Sequence, residues 1–239
     1  MRNPTPCVGP EEIGVLMDLL SHDMLNNNQA TLSYLELIHS SKVDRRTREF
    51  AEKAASQVHT SSMLLDSIRR FVTSSRAGPL AARPVDLKAA LAGVAREIPE
   101  MFPHKRVTVD ASGLEAGTEV LGGQSVSDLF MNLIANLVQL DPGEEVRVQV
   151  RPCGRDRGAQ GAVKVEVAAP TAALPQGVGD DIFAHARAED LSKMSRVSGA
   201  VFAGSVARAL GGSVSACAPG TKRGRGCVFE VTLKGAGRA

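Results

Sequence analysis

The sequence predicts an α+β protein: an N-terminal two-helix hairpin, paired with a second copy in a four-helix bundle, followed by an α/β sandwich. Three observations carry this. Apolar residues recur at three- and four-residue steps through two long stretches before residue 77, as one face of a helix requires. A segment around Gly78-Pro79 and Pro84 then breaks the pattern. Beyond it, strand-like alternation and helical stretches mix without regular βαβ repetition, which suggests helices over one face of a mixed sheet.

Residues 1–10, with Pro4 and Pro6, read as a disordered lead. Pro10-Glu11-Glu12 opens the first helix, because Pro suits the first turn and acids suit the positive end of the dipole. Its stripe runs Ile13, Met17, Leu20, Met24, Thr31, Leu35, Ile38, interrupted at Asn28. At ~1.5 Å per residue the helix is about 45 Å long. Asp44 suits the N-cap of a second helix, whose stripe runs Phe50, Ala54, Val58, Ser61, Leu65, Ile68, Val72. A single hairpin cannot cover both stripes, so a homodimeric bundle is expected over 11–76, the alternative being a hairpin packed on its own chain.

The linker is 77–84, and the second domain spans 85–234 with a tail at 235–239. Leu87–Ile98 reads as a helix and Arg106–Asp110 as a strand. Ser125–Leu140 is a buried helix closed by Asp141-Pro142-Gly143. Glu145–Arg151 and Val163–Val167 alternate as strands around a Gly/Arg-rich turn. Ala200–Leu210 is helical, stopped by Gly211-Gly212, and Ser213–Ala216 with Cys227–Leu233 forms a last hairpin.

Composition narrows the function. A formal charge of +2 argues against an electrostatic nucleic-acid binder, and 3% aromatic residues argue against a base-stacking platform. No apolar run approaches the ~18–20 residues of a membrane span. The N-terminus lacks a signal-peptide apolar region, and four cysteines without CxxC spacing fit a reduced, cytoplasmic chain. His39, His59, His104 and His185 are scattered without metal-ligand spacing, and Thr221–Arg225 reads as a solvated turn.

The chemistry concentrates in Ser21-His22-Asp23-Met24-Leu25-Asn26. His22 lies off the stripe set by Leu20 and Met24 and is expected to face solvent, with Asn26 one turn on along the same face. A neutral imidazole nitrogen is a competent nucleophile, and the adjacent Asp23 carboxylate can fix the tautomer that exposes it. Asn26 can position a water or a phosphoryl oxygen without adding negative charge. Three consecutive asparagines, Asn26 to Asn28, weaken a helix interior and point to function there. A solvated face that happens to carry one histidine is the plain alternative.

His22-Asp23-x-x-Asn26 on a long helix resembles the phosphoacceptor box of two-component histidine kinases. The resemblance continues in order. Leu64-Leu65-Asp66-Ser67-Ile68 matches the return helix of their dimerisation and phosphotransfer hairpin. Pro84-Val85-Asp86-Leu87 resembles the start of their GHKL-type (Bergerat) ATP-binding domain. Asn132-Leu133-Ile134-Ala135-Asn136 resembles its N-box, and Leu210–Val214 with Gly224–Phe229 its closing segment. The resemblance implies phosphoryl chemistry at His22 assisted by Asp23, with Asn26 as a water-positioning residue. It implies Mg²⁺-ATP coordination at Asn136, supported by Asn132.

The nucleotide boxes depart from that pattern. The family's Asp-x-Gly-x-Gly box aligns with Ala169-Pro170-Thr171-Ala172-Ala173. Ala169 offers no acceptor for an adenine amino group, at a cost of about 1–3 kcal/mol for the unpaired donor. Thr171 and Ala173 replace glycines that let backbone approach a nucleotide. The second Gly-rich box reads Ser195-Arg196-Val197-Ser198-Gly199-Ala200, and Gln139 stands where many family members carry a basic residue. Asp180-Asp181 reads as a loop or N-cap and not a substitute acid. This combination resembles dimeric histidine phosphotransferases that share the kinase fold without using ATP. The expected function is transfer of a phosphoryl group between response-regulator receiver domains through His22. No cofactor is expected on the chain itself, since Mg²⁺ comes with the receiver. The alternatives are an ATP- and Mg²⁺-dependent histidine kinase with an atypical site, and a non-catalytic docking scaffold.

Overall fold

A computed structural model describes residues 10–76, 83–153, 161–176, 178, 194–217 and 226–236. The readings placed on the lead, most of the linker, the Gly/Arg-rich turn, Asp180-Asp181, His185, Thr221–Arg225 and the end of the tail lie outside these residues. The chain is α+β and divides into two compact units, Met1–Ala77 and Gly78–Ala239.

The first unit is an antiparallel pair of helices, α1 (Pro10–Ser40) and α2 (Arg45–Arg76). Asp44 caps α2: its Oδ1 accepts from the backbone N–H groups of Arg46 at 2.9 Å and Thr47 at 3.0 Å. The Thr47 hydroxyl donates to the other oxygen, and this set holds the Asp44 carboxyl below its ordinary pKa.

The interior of the hairpin differs from the expected stripes. On α1 it consists of Met17, Ser21, Leu25, Asn28, Leu32 and Leu35, while Leu20, Met24 and Ile38 are exposed. On α2 the buried positions include Ala51, Ser56 and Ser67, whereas Phe50 is 55% exposed and stacks under the Arg46 guanidinium. Met17 and Leu35 of the expected α1 stripe and Val58, Leu65, Ile68 and Val72 of the α2 stripe do face inward at least in part. The other described positions of both stripes are exposed, and their neighbours are buried instead. The seam of one hairpin mixes small and polar side chains with Leu25, Leu32 and Leu35, while Leu20, Met24, Ile38 and Phe50 point elsewhere.

The second unit carries a five-stranded sheet and a two-stranded one. Strands β2 (Arg106–Asp110), β4 (Glu145–Pro152), β5 (Ala162–Ala169), β6 (Ser213–Cys217) and β7 (Cys227–Lys234) lie in the order β2-β4-β5-β7-β6. The β2–β4 pair is parallel and the others antiparallel, which makes the sheet mixed as expected. The short β1 (Pro84–Asp86) pairs antiparallel with β3 (Glu119–Leu121), a contact too brief to leave an alternation in the sequence.

Among the described residues, three α-helices accompany the sheet: α3 (Leu87–Met101), α4 (Gln124–Leu140) and α5 (Ser198–Ala209). Val146, Val148, Val150, Val165, Val167, Phe229 and Val231 are buried, alternating with polar residues along their strands. Buried Leu129, Phe130, Leu133, Ile134 and Leu137 of α4 complete the core, and α4 is buried nearly all round, the polar Asp128, Asn132 and Asn136 included. Gly211, at φ +76°, ends α5, and the next N–H, of Gly212, reaches back to Ala207 O at 2.8 Å.

Candidate functional site

His22 stands on α1 next to the buried Ser21, and its own side chain is 70% exposed. Solvent exposure is as expected, but the residues that fix it are Ser21 and Leu25 on the inner face. Asp23 Oδ1 lies 3.2 Å from His22 Nδ1. Asn26 Nδ2 lies 3.3 Å from Nδ1 and 3.4 Å from Nε2, alongside the ring. The helix brings all three together because positions i and i+4 share a face and i+1 is its neighbour. With the proton on Nδ1 directed to Asp23, Nε2 carries the lone pair that can act as a nucleophile. Asn26 is then a donor beside that nitrogen.

Asn28 does not share this face. It points into the hairpin, where its amide nitrogen donates to Ser62 Oγ at 3.0 Å. The reading of Asn26 to Asn28 as one functional run is corrected: Asn26 lies beside the imidazole and Asn28 lies in the seam. A polar residue interrupting an apolar stripe was the signal for this, and its partner on α2 could not be seen from sequence.

Asn132 and Asn136 sit one turn apart on α4, 0% and 2% exposed. Asn132 Nδ2 donates to Asp128 O at 2.8 Å, within its own helix. Asn136 Nδ2 donates to the Arg196 carbonyl at 3.2 Å, and its Oδ1 is buried without a hydrogen bond. Gly199 brings α5 against this turn: a Cβ there would lie 2.6 Å from Asn132 O. The segment from Arg196 to Gly199 therefore packs on this turn, with the Arg196 carbonyl against the Asn136 amide. Ala169, at the end of β5, is 0% exposed and Ala172 1%. Thr171, which the sequence places where the family has a glycine, donates its hydroxyl to Asp141 Oδ2, a bond the sequence did not reveal. Asp141 is buried, its Oδ1 accepts from Gly143 N–H at 2.8 Å, and its carbonyl accepts from Lys105 Nζ at 2.5 Å. These residues do not fit Mg²⁺-ATP. The aligned adenine acceptor is a methyl group, and Thr171 and Ala173 fill the aligned glycine positions. No cluster of three His, Cys, Asp or Glu suited to a metal occurs among the described residues.

Full-length ShkA, solved with AMPPNP, aligns over 97% of this chain with a TM-score of 0.53 at 20% identity. The fold is that of a histidine kinase. The histidine-kinase fold here spans 47% of the length of ShkA. The ATP-binding domain of PrrB from Mycobacterium tuberculosis is 17% identical, with 64% of this chain and 97% of that chain covered and a TM-score of 0.46. The mycobacterial sensor histidine kinase MprB is 16% identical over the same shares, at a TM-score of 0.45. No family model and no curated protein matches the sequence. None of the described helices is long and apolar enough to cross a membrane.

Proposed function

We propose that the chain is a two-component signalling protein, and within that class a histidine phosphotransferase acting between receiver domains. One observation carries this reading: an exposed imidazole is flanked by a carboxylate and an amide, while the nucleotide boxes of the same chain lack the acid and the glycines. In the proposed step, His22 Nε2 attacks the phosphorus of an aspartyl phosphate on the donor receiver. The acyl P–O bond breaks and the donor carboxylate leaves with its electron pair. Positive charge developing on the ring is stabilised at Nδ1–H by Asp23. Asn26 donates to a phosphoryl oxygen as it swings into place. The reverse attack, by the carboxylate of a second receiver on the same phosphorus, regenerates free His22. Such transfer needs positioning and little else from the carrier, and Mg²⁺ is supplied with the receiver.

The protein works in this reading as a homodimer. Met24, Thr31 and Ile38 follow a seven-residue step on α1 and Leu20 stands one turn before them, with Leu20, Met24 and Ile38 57%, 46% and 38% exposed in the single chain. That is the repeat of a helix seam seeking a partner.

The test uses purified protein with labelled ATP and, separately, with a labelled phosphorylated receiver domain. Label is expected on His22 from the receiver and not from ATP, and none is expected in the His22→Ala variant. That variant should melt within about 0.5 kcal/mol of the parent, because the position is exposed. Prompt label from ATP would replace the reading with a kinase. Receiver binding without any label would replace it with a scaffold.

A further inference from the structure

Asn28 has no place in the chemistry at His22, yet a half-buried amide in a helical seam costs stability unless it has a task. The task is visible in its partner. Ser62 Oγ donates its one hydrogen to Val58 O at 3.0 Å, back along α2. Its lone pairs are left facing α1, and Asn28 Nδ2 donates into them at 3.0 Å, with Ser61 Oγ at 3.5 Å as a looser neighbour. The result is a directional chain from Asn28 through Ser62 to Val58 that crosses the hairpin.

The surrounding seam makes such a chain consequential. Ser21, Leu32, Ala51, Ser56 and Ser67 are buried there, with Leu25 and Leu35 half-buried. Apart from the leucines these side chains are small and interlock weakly, so burial alone constrains the mutual rotation of the two helices only loosely. The turn at residues 41–44 limits sliding at one end, but Asn28 is roughly 20 Å away along the axis. Rotation matters acutely at His22, because its neighbour Ser21 is 1% exposed while His22 is 70% exposed. A turn of α1 by one residue position, about 100°, would exchange them.

We infer that the Asn28–Ser62 pair is a positioning device that sets the rotation of α1 on α2 and thereby holds the His22 imidazole outward. A single buried polar residue that fixes register at a cost in stability is a known use of asparagine in paired helices. The functional part of the inference rests on the phosphotransfer reading, but the geometric part does not.

The test separates them by using two readouts on the full chain. One is the rate at which diethyl pyrocarbonate modifies His22, followed by mass spectrometry, which needs no partner. The other is phosphoryl acceptance from a phosphorylated receiver domain. Asn28→Leu removes the amide while keeping an apolar seam, and it should melt no lower than the parent. Its His22 modification rate should nevertheless fall severalfold, and phosphoryl acceptance should fall on the order of tenfold, as misplacement of a reacting group does. Ser62→Thr keeps the hydroxyl and should retain both rates, whereas Ser62→Ala should behave as Asn28→Leu. Asn28→Ala and Ser62→Ala should be non-additive when combined, as groups in contact are. A parent that accepts no phosphoryl group, with the modification rate still falling in Asn28→Leu, would leave the positioning role standing and remove the proposed function. Parent-like modification of His22 in both Asn28→Leu and Ser62→Ala would overturn the inference.

Discussion

Asp86 begins α3 by accepting a hydrogen bond from the Ala89 N–H at 2.9 Å and a second, across a loop, from the Gly117 N–H at 2.7 Å. Both favour the charged carboxylate, Ala89 most, and hold its pKa below the ordinary 3.8. A depressed carboxylate stabilises the fold above its unfolded pKa, and that contribution disappears as pH falls through the lower folded value. Asp86→Ala should therefore cost about 1 kcal/mol near neutrality, the usual worth of a helix cap. The difference in melting temperature between parent and variant should shrink between about pH 5 and pH 2. A gap that stayed constant on acidification would show that Asp86 acts through shape and not charge. Ser21 and His22 make a related point: adjacent residues on one helix have opposite fates because one step around α1 separates the seam from solvent.

At the scale of elements, the packing of α4 on α5 decides what the Asn132–Asn136 turn can do. Gly199 lets the two helices meet so closely that a methyl group would press on Asn132 O, a backbone atom that cannot swing aside. Gly199→Ala should gain up to ~1 kcal/mol in helix propensity and lose about 1–3 kcal/mol to overpacking, so the clash wins. The urea midpoint should fall, and an unchanged or raised midpoint would mean that α5 can shift without loss. The Thr171–Asp141 bond acts in the same region. It ties the chain after β5 to the end of α4. The packing of this region is thus shared between elements and does not rest on any one side chain.

At the scale of the whole molecule, the face of α1 bearing Leu20, Met24 and Ile38 leaves large apolar side chains in water that a single hairpin cannot cover. Pairing two hairpins would bury them, and a charge placed there would face its symmetry mate or an apolar wall. Met24→Glu should shift the protein from dimer to monomer by light scattering and lower its helical content. Isolated amphipathic helices draw most of their stability from such packing. A dimer of undiminished stability in that variant would move the interface to another surface.

Much of the fold could be read from residues alone, because its signals are local. Pro10 and Asp44 start the two long helices, Gly211-Gly212 stops α5, and alternation marks β4, β5 and β7 along one chain segment at a time. His22 with Asp23 and Asn26 was legible for the same reason, since their relation is set by helical geometry within five residues. What sequence could not give were relations across elements: the β1–β3 pair, the Thr171–Asp141 bond, and the seam in which Asn28 meets Ser62. Helical periodicity fixes which residues share a face, but Ser21 with Leu25 and Leu20 with Met24 satisfy it equally well. Which of those faces turns inward is decided by the partner helix, because only packing distinguishes two stripes that composition leaves nearly equivalent.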